Sequence, residues 1–118
     1  MPDYKLYVNV VLEVIEKIES SVSKLNKEDF LMDSEIQDAT LMRLQVIGEN
    51  IKKIPYELKK KNKEIKWKKF EKLRNIISHK YDAVDYNLIW SFIENNLEEL
   101  KTAILKIKTS NQTKWQKI

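Results

Sequence analysis

The sequence predicts an all-α bundle of four main helices plus a short helix, in an antiparallel up-down arrangement. Apolar residues recur every three to four positions along most of the 118-residue chain, which is the spacing of amphipathic helices. No segment alternates strictly between apolar and polar residues, and a single glycine argues against a hairpin-rich β protein. A chain of this length forms one domain. We expect that domain over residues 1–108, followed by a polar tail over residues 109–118.

The first main helix is predicted by an apolar stripe over residues 4–25. Asn26 then offers an N-cap to a short helix over residues 27–32, because an Asn side chain accepts a hydrogen bond from a free N–H group of the first turn. Ser34 is the next cap candidate. Gln37 follows it at the three-residue spacing of a capping box, so a second main helix is expected to start at Ser34.

This second main helix is expected to end near Ile54, because Pro55 lacks a backbone donor and restricts the residue before it. Gly48 lies inside the helix, where a glycine costs about 1 kcal/mol relative to alanine. We attribute this glycine to close packing against another helix. The polar run over residues 59–63 is predicted to form a loop.

Two further main helices are predicted in the second half of the chain. Apolar residues at helical spacing mark the third of the four over residues 67–77. The last helix is expected to begin after Asp85, which is another cap candidate, and to run to Ile107. The residues beyond it are polar and show no periodicity.

The composition excludes several classes of site. The absence of cysteine excludes disulfide scaffolds, zinc–thiolate sites and thiol nucleophiles. One glycine cannot supply a phosphate-binding glycine loop, and one histidine cannot form a multi-histidine metal site within one chain. We therefore expect neither a metal nor a cofactor. No stretch approaches the ~18 apolar residues of a membrane span, and no signal peptide is evident, so a cytoplasmic protein is expected.

The formal net charge of +4 conceals an asymmetry. Twelve basic and three acidic residues lie between Lys52 and Lys80, which makes that segment strongly positive and the remainder negative. A basic segment of this kind fits the binding footprint of a polyanion such as RNA. A lysine-rich solvated surface explains the same composition, and on charge alone we favour that interpretation.

One polar cluster in this basic segment can carry chemistry. On a helix, Arg74, Asn75, Ser78 and His79 would share the face opposite the apolar stripe, with Tyr81 at its edge. Arginine suits phosphate and histidine can transfer protons near neutral pH, so the cluster suits metal-independent RNA cleavage by attack of the 2′-OH. One histidine cannot easily act as both acid and base, whereas a two-fold dimer would supply two.

A structural alternative explains the same residues. Arg74 and His79 could instead stabilise the C-terminus of a helix, where cations are favourable, and Asn75 could satisfy loop backbone. Arg43 and Glu49 could either line a cleft or pair within the bundle, and we favour the structural role for both.

Residues 74–81 resemble the Arg-X4-His-X-Tyr motif of the HepT-like toxins of the HEPN superfamily. The similarity extends to a second-helix segment, residues 38–49, which ends in Gly-Glu, and to the segments 65–75 and 84–90. It covers residues 7–106 in order. The usual proline before the tryptophan is replaced by Glu64, Ile65 and Lys66 ahead of Trp67.

The resemblance implies a homodimeric endoribonuclease that acts as the toxin of a toxin–antitoxin system. Arg74 would be the phosphate-stabilising cation and His79 the general acid and base, with Asn75 and Ser78 in support. It also implies neutralisation by an MntA-like nucleotidyltransferase, which would transfer AMP to Tyr81.

Two alternatives to this function stay open. The first is a non-catalytic nucleotide- or RNA-binding subunit that partners a nucleotidyltransferase. The second is a plain dimerisation domain, in which Arg74 and His79 have no function of their own.

Overall fold

The computed structural model describes residues 4–75 and 84–116, with side chains described as far as residue 109. These residues contain no strand, and the predicted all-α class is confirmed. The α-helices are α1 (Tyr4–Val22), α2 (Lys27–Met32), α3 (Ser34–Lys53), α4 (Tyr56–Lys59), α5 (Trp67–Glu71), α6 (Tyr86–Asn95) and α7 (Leu97–Gln116). Two 3-10 helices, Lys60–Asn62 and Lys72–Asn75, follow α4 and α5 directly.

The core lies where α1 packs against α3 on one side and α7 on the other. Ile15, Leu44 and Leu100 represent these three helices in the core, and each is fully buried. Burying a side chain of this size stabilises the fold by about 1.5–3 kcal/mol. No helix in the described part of the chain is both long and apolar enough to cross a lipid bilayer.

The short helix α2 is confirmed, and it closes one end of the bundle. Asn26 accepts a hydrogen bond from the Asp29 N–H at 2.8 Å, and the Asp29 carboxylate accepts one from the Asn26 N–H at 3.3 Å. Phe30 of α2 is fully buried. Its ring centroid lies 5.3 Å from that of Trp90 and 6.3 Å from that of Tyr86, so α2 is held against α6.

The predicted cap of α3 is wrong by one residue. Asp33, which has an extended backbone, is the N-cap, and its carboxylate accepts a hydrogen bond from the Ile36 N–H at 3.1 Å. Gln37 does not complete a capping box with Ser34. Its side-chain amide instead donates to the Phe30 carbonyl at 3.0 Å, because α2 ends close enough for its free carbonyls to compete for this donor.

The other predicted helix boundaries were partly correct. Helix α3 ends at Lys53, just before Ile54 and Pro55, and Asp85 caps α6 by accepting a hydrogen bond from the Asn87 N–H at 3.0 Å. These boundaries agree with the predictions. Residues 59–63 are not simply a loop, because Lys59 ends α4 and a 3-10 helix follows it.

The last predicted helix is two helices separated at Asn96. Helix α6 contacts α2, whereas α7 contacts α1, so each half buries its apolar residues against a different partner. Helix α7 then continues through Gln116, and the backbone stays helical beyond residue 108. The division between a domain and a polar tail remains a prediction.

Candidate active site

Arg74 lies on the 3-10 helix Lys72–Asn75, which we call the Arg74 turn. Leu73 is buried and anchors the turn in the core, while Arg74 and Asn75 are exposed. The turn packs against α3. The described part of the predicted third helix is therefore α5 followed by a tighter 3-10 segment. Ile76 and Ile77 lie outside the described residues.

Gly48 of α3 allows this packing. A Cβ atom at Gly48 would lie 2.6 Å from the Arg74 backbone nitrogen, 3.1 Å from the Phe70 carbonyl oxygen and 3.2 Å from that of Glu71. The first of these distances is shorter than any ordinary contact of a Cβ atom. The prediction that Gly48 serves close helix packing is confirmed, and the element it packs against is the one that carries Arg74.

A buried lysine fixes the segment that leads into the Arg74 turn. The side chain of Lys59 is 8% exposed, and its Nζ lies 3.0 Å from Oε2 of Glu71 and 3.1 Å from the carbonyl oxygen of Ile51. The Trp67 indole N–H donates to the Lys59 carbonyl at 2.8 Å. Lysine is rarely buried without such partners. These bonds join the end of α3, α4 and α5 just before the Arg74 turn.

The Lys59–Glu71 pair could not be predicted from the sequence. Lys59 is one of several lysines in a polar run, and twelve positions separate it from Glu71, which is not a spacing within one helix. The pairing follows from the turn at Pro55, which brings α4 back over the end of α3. Only the tertiary structure shows it.

Two open clefts meet at Arg74. The lysine cleft, of about 200 Å³, is lined by Lys52, Lys68, Glu71, Lys72, Arg74 and Asn75. The Glu49 cleft, of about 480 Å³, is lined by Glu49, Lys52, Lys53 and Arg74. Arg74 and Lys52 line both clefts, so a ligand in either cleft meets these two cations.

The cations at this junction are not neutralised by the described parts of the chain. Lys52, Lys68, Lys72 and Arg74 form no ion pair with any residue in ranges 4–75 and 84–109. Arg74 lies in the last turn of its 3-10 helix, as the capping alternative requires. Its side chain nevertheless donates no hydrogen bond to a carbonyl in those ranges, so the described residues do not support a capping role for it.

Comparison with known proteins identifies the family. The family model described as "Ribonuclease HepT-like" matches residues 11–107. The chain belongs to the HepT-like ribonuclease family. No solved structure matches this HepT-like chain.

Curated relatives agree with this family. A protein of Methanocaldococcus jannaschii named "Gamma-glutamylcyclotransferase and putative RNase MJ0434" is 40% identical over 105 residues, which are 89% of this chain and 47% of the relative. The "Probable ribonuclease HepT" of Thermococcus cleftensis is 32% identical over 89% of this chain and 96% of its own length. The HepT-like chain thus spans about half of the first relative and nearly all of the second.

Arg43 and Glu49, whose roles the sequence left open, occupy different kinds of position in the structure. The Arg43 guanidinium donates to the Ser21 hydroxyl at 2.6 Å and to the Lys17 carbonyl at 3.4 Å, which confirms a structural role that joins α3 to α1. Glu49 is exposed and lines a cleft with Arg74, contrary to the structural role that we favoured. It is the residue after Gly48, so the close approach of the Arg74 turn also brings Glu49 to the cleft.

Three predicted site residues of this HepT-like chain, Ser78, His79 and Tyr81, lie outside the described residues. The positions assigned to them on a helical wheel remain predictions. Arg74 and Asn75 are described and lie together on the lysine cleft. Within the ranges 4–75 and 84–109, no three carboxylate or imidazole side chains gather into a group that could hold a metal ion.

Proposed function

We propose that this HepT-like chain is a metal-independent endoribonuclease that cleaves RNA with Arg74 and His79 at the cleft of a homodimer. The observation that carries the proposal is the exposed guanidinium of Arg74, which forms no ion pair with the described residues and lies where two clefts lined by lysines meet. A planar, permanently charged fork in such a place suits a phosphodiester. Membership of the HepT-like ribonuclease family supports RNA as the source of that phosphodiester.

The proposed reaction needs only side chains and the RNA itself. His79 of one protomer removes the proton of a 2′-OH, and the 2′-oxygen attacks the adjacent phosphorus. His79 of the other protomer protonates the 5′-oxygen as its bond to phosphorus breaks. Arg74 stabilises the negative charge that builds on the phosphoryl oxygens, with Asn75 and Ser78 orienting the reacting groups. The products are a 2′,3′-cyclic phosphate and a 5′-hydroxyl end.

The RNA ends and the effect of a chelator test this mechanism directly. Purified protein incubated with RNA in EDTA is expected to produce fragments with 2′,3′-cyclic phosphate ends at the same rate as without the chelator. Loss of cleavage in EDTA would contradict the proposed chemistry. Tight binding of RNA without any cleavage would instead favour the alternative, a non-catalytic RNA-binding subunit that partners a nucleotidyltransferase.

We further propose that the chain is the toxin of a toxin–antitoxin system, neutralised by an MntA-like nucleotidyltransferase that transfers AMP from ATP to Tyr81. The negative charge and the size of an AMP group would both oppose RNA binding in the cleft. An AMP group on a residue near Arg74 brings a phosphate to cations that would otherwise bind RNA. The modified side chain would therefore compete with the substrate and also obstruct the cleft.

Mass spectrometry tests the proposed modification. Incubation with the cognate transferase and ATP is expected to add AMP to the wild-type protein and to the Tyr56→Phe variant, but not to Tyr81→Phe. Tyr56 is a suitable control because its side chain is 72% exposed and lines neither cleft. Equal modification of Tyr81→Phe would assign the AMP group to another residue.

A further inference from the structure

We propose that Lys52, Lys68 and Lys72 form a binding track for the phosphates that flank the cleaved bond, so that the RNA backbone enters through the lysine cleft. This inference rests on the proposed ribonuclease function and extends it from the reacting phosphate to its neighbours. None of the three lysines belongs to the Arg-X4-His motif. They come together only in the folded chain.

Two separate elements supply the track. Lys68 on α5 and Lys72 at the start of the Arg74 turn are four residues apart, a spacing that places side chains on the same side of a helix. Lys52 comes from the last turn of α3. All three line one cleft with Arg74, because the contact at Gly48 brings α3 against the Arg74 turn. Three exposed lysines from two elements therefore line the same cleft as Arg74.

The charge balance of the lysine cleft favours an anion. The three lysines form no ion pair within the described ranges 4–75 and 84–109, whereas the only acidic residue among those that line the cleft, Glu71, is paired with Lys59 at 3.0 Å. Four lysines of the described ranges do form ion pairs, namely Lys17, Lys59, Lys60 and Lys101, and what distinguishes the lysines of the track is that they line one cleft with Arg74. The track thus combines unpaired cations with a carboxylate whose charge is already compensated.

The Glu49 cleft is less favourable to the flanking phosphates than the lysine cleft. Glu49 is exposed and forms no ion pair with a described residue, so its carboxylate repels a phosphate in that cleft. Lys52 and Arg74 are shared by both clefts, which leaves the lysine cleft as the more favourable path for the flanking phosphates. The two sides of Arg74 are therefore electrostatically unequal toward RNA.

The expected binding is independent of sequence and sensitive to salt. Each lysine–phosphate contact with a single strand contributes about 0.7 to the negative slope of log affinity against log salt concentration. Loss of one contact then weakens binding about fivefold at 0.1 M salt, and loss of three weakens it about a hundredfold. Lysine presents a compact, mobile charge, so these contacts position the strand without reading its bases.

The test measures binding of a 2′-O-methyl oligoribonucleotide, which cannot be cleaved by attack of its 2′-oxygen. The track variant carries Lys52→Ala, Lys68→Ala and Lys72→Ala. A matched control variant carries Lys24→Ala, Lys61→Ala and Lys63→Ala, which remove the same charge from exposed lysines outside both clefts. We expect the track variant to bind the oligonucleotide about a hundredfold more weakly than the wild type. We also expect its slope of log affinity against log salt concentration to be less negative by about two. The control should stay within about threefold of the wild type.

A single substitution that is expected to raise the affinity for RNA makes this test stricter. Glu49→Gln removes a negative charge beside Lys52 and Arg74 and is expected to tighten binding several-fold at 0.1 M salt. Comparable losses in the track and control variants would overturn the proposal, because binding would then depend on total charge alone. So would an affinity of Glu49→Gln below that of the wild type.

Cleavage kinetics separate this proposal from the ribonuclease function itself. Flanking contacts act on bound substrate and transition state alike, so the track variant is expected to raise KM with kcat within a few-fold of the wild type. An unchanged KM in the track variant, with cleavage intact, would overturn the track and leave the ribonuclease standing. Failure of the wild type to cleave any RNA would overturn the ribonuclease and the track together. Thermal unfolding should show all three variants folded, since the substituted side chains are exposed.

Discussion

Replacement of Arg74 by alanine is expected to lower the rate of RNA cleavage about a thousandfold while the fold stays intact. The side chain is exposed and forms no hydrogen bond within the described ranges, so the folded state loses little when it is removed. The transition state loses the cation that faces the developing charge. Single-turnover cleavage of a labelled RNA, followed as appearance of the cyclic phosphate end, measures this effect.

Two further substitutions make the Arg74 result specific. Arg74→Lys keeps the charge but not the two-pronged donor, so partial recovery of the rate is expected. Arg43→Ala removes the only other arginine, which contacts Ser21 and not the clefts, and should cleave normally with a small loss of stability. Under the proposed mechanism His79→Ala should be as inactive as Arg74→Ala. Retention of more than about a tenth of the wild-type rate by Arg74→Ala would contradict its catalytic role.

Gly48→Ala is expected to impair both stability and cleavage, although alanine is the better helix former by about 1 kcal/mol. The new Cβ would lie 2.6 Å from the backbone nitrogen of Arg74, so α3 and the Arg74 turn must separate. Overpacking of this kind costs about 1–3 kcal/mol, and misplacement of a catalytic group by about 1 Å can cost a hundredfold in rate. Urea unfolding and kcat measured on the folded protein provide the two readouts.

Asn50→Ala is the matched control for Gly48→Ala. Asn50 lies on the same helix, and its side-chain amide donates to the Val46 carbonyl within α3, so its loss leaves the Arg74 turn in place. We expect nearly wild-type cleavage from this variant. If Gly48→Ala were more stable than the wild type and fully active, Gly48 would have no part in positioning Arg74.

The sequence predicted those parts of the fold that local patterns determine. Apolar periodicity identified α1, and Asn26 and Asp85 are caps as predicted, since cap preferences depend on residues one to three positions away. The same reasoning placed the cap of α3 at Ser34, one residue after the actual cap Asp33, because both residue types suit an N-cap and only the backbone conformation shows which one caps the helix. The break at Asn96 was also missed, because the packing partners of α6 and α7 leave no trace in the local spacing.

The candidate site also contains residues that local sequence patterns predicted and residues that only tertiary contacts bring together. The polar cluster, and then its resemblance to a family motif, identified Arg74 and Asn75 as candidates, and the structure places both on one cleft. Lys52 and Glu49 could not be assigned to the site from sequence, since they reach Arg74 only through the contact between α3 and the Arg74 turn. Lys59 looked like part of a charged surface but is buried. The roles of His79, Ser78 and Tyr81 remain predictions.

The contact at Gly48 also limits how the length of this chain can vary. A residue inserted into α3 before Gly48 would rotate the glycine by about 100° around the helix axis and would turn a side chain toward the backbone of Arg74. Helix α3 is therefore intolerant of insertions and deletions between Asp33 and Gly48. The links on either side of the helix, Asp33 before it and Ile54 and Pro55 after it, are only one and two residues long, so they offer little room to absorb such a change.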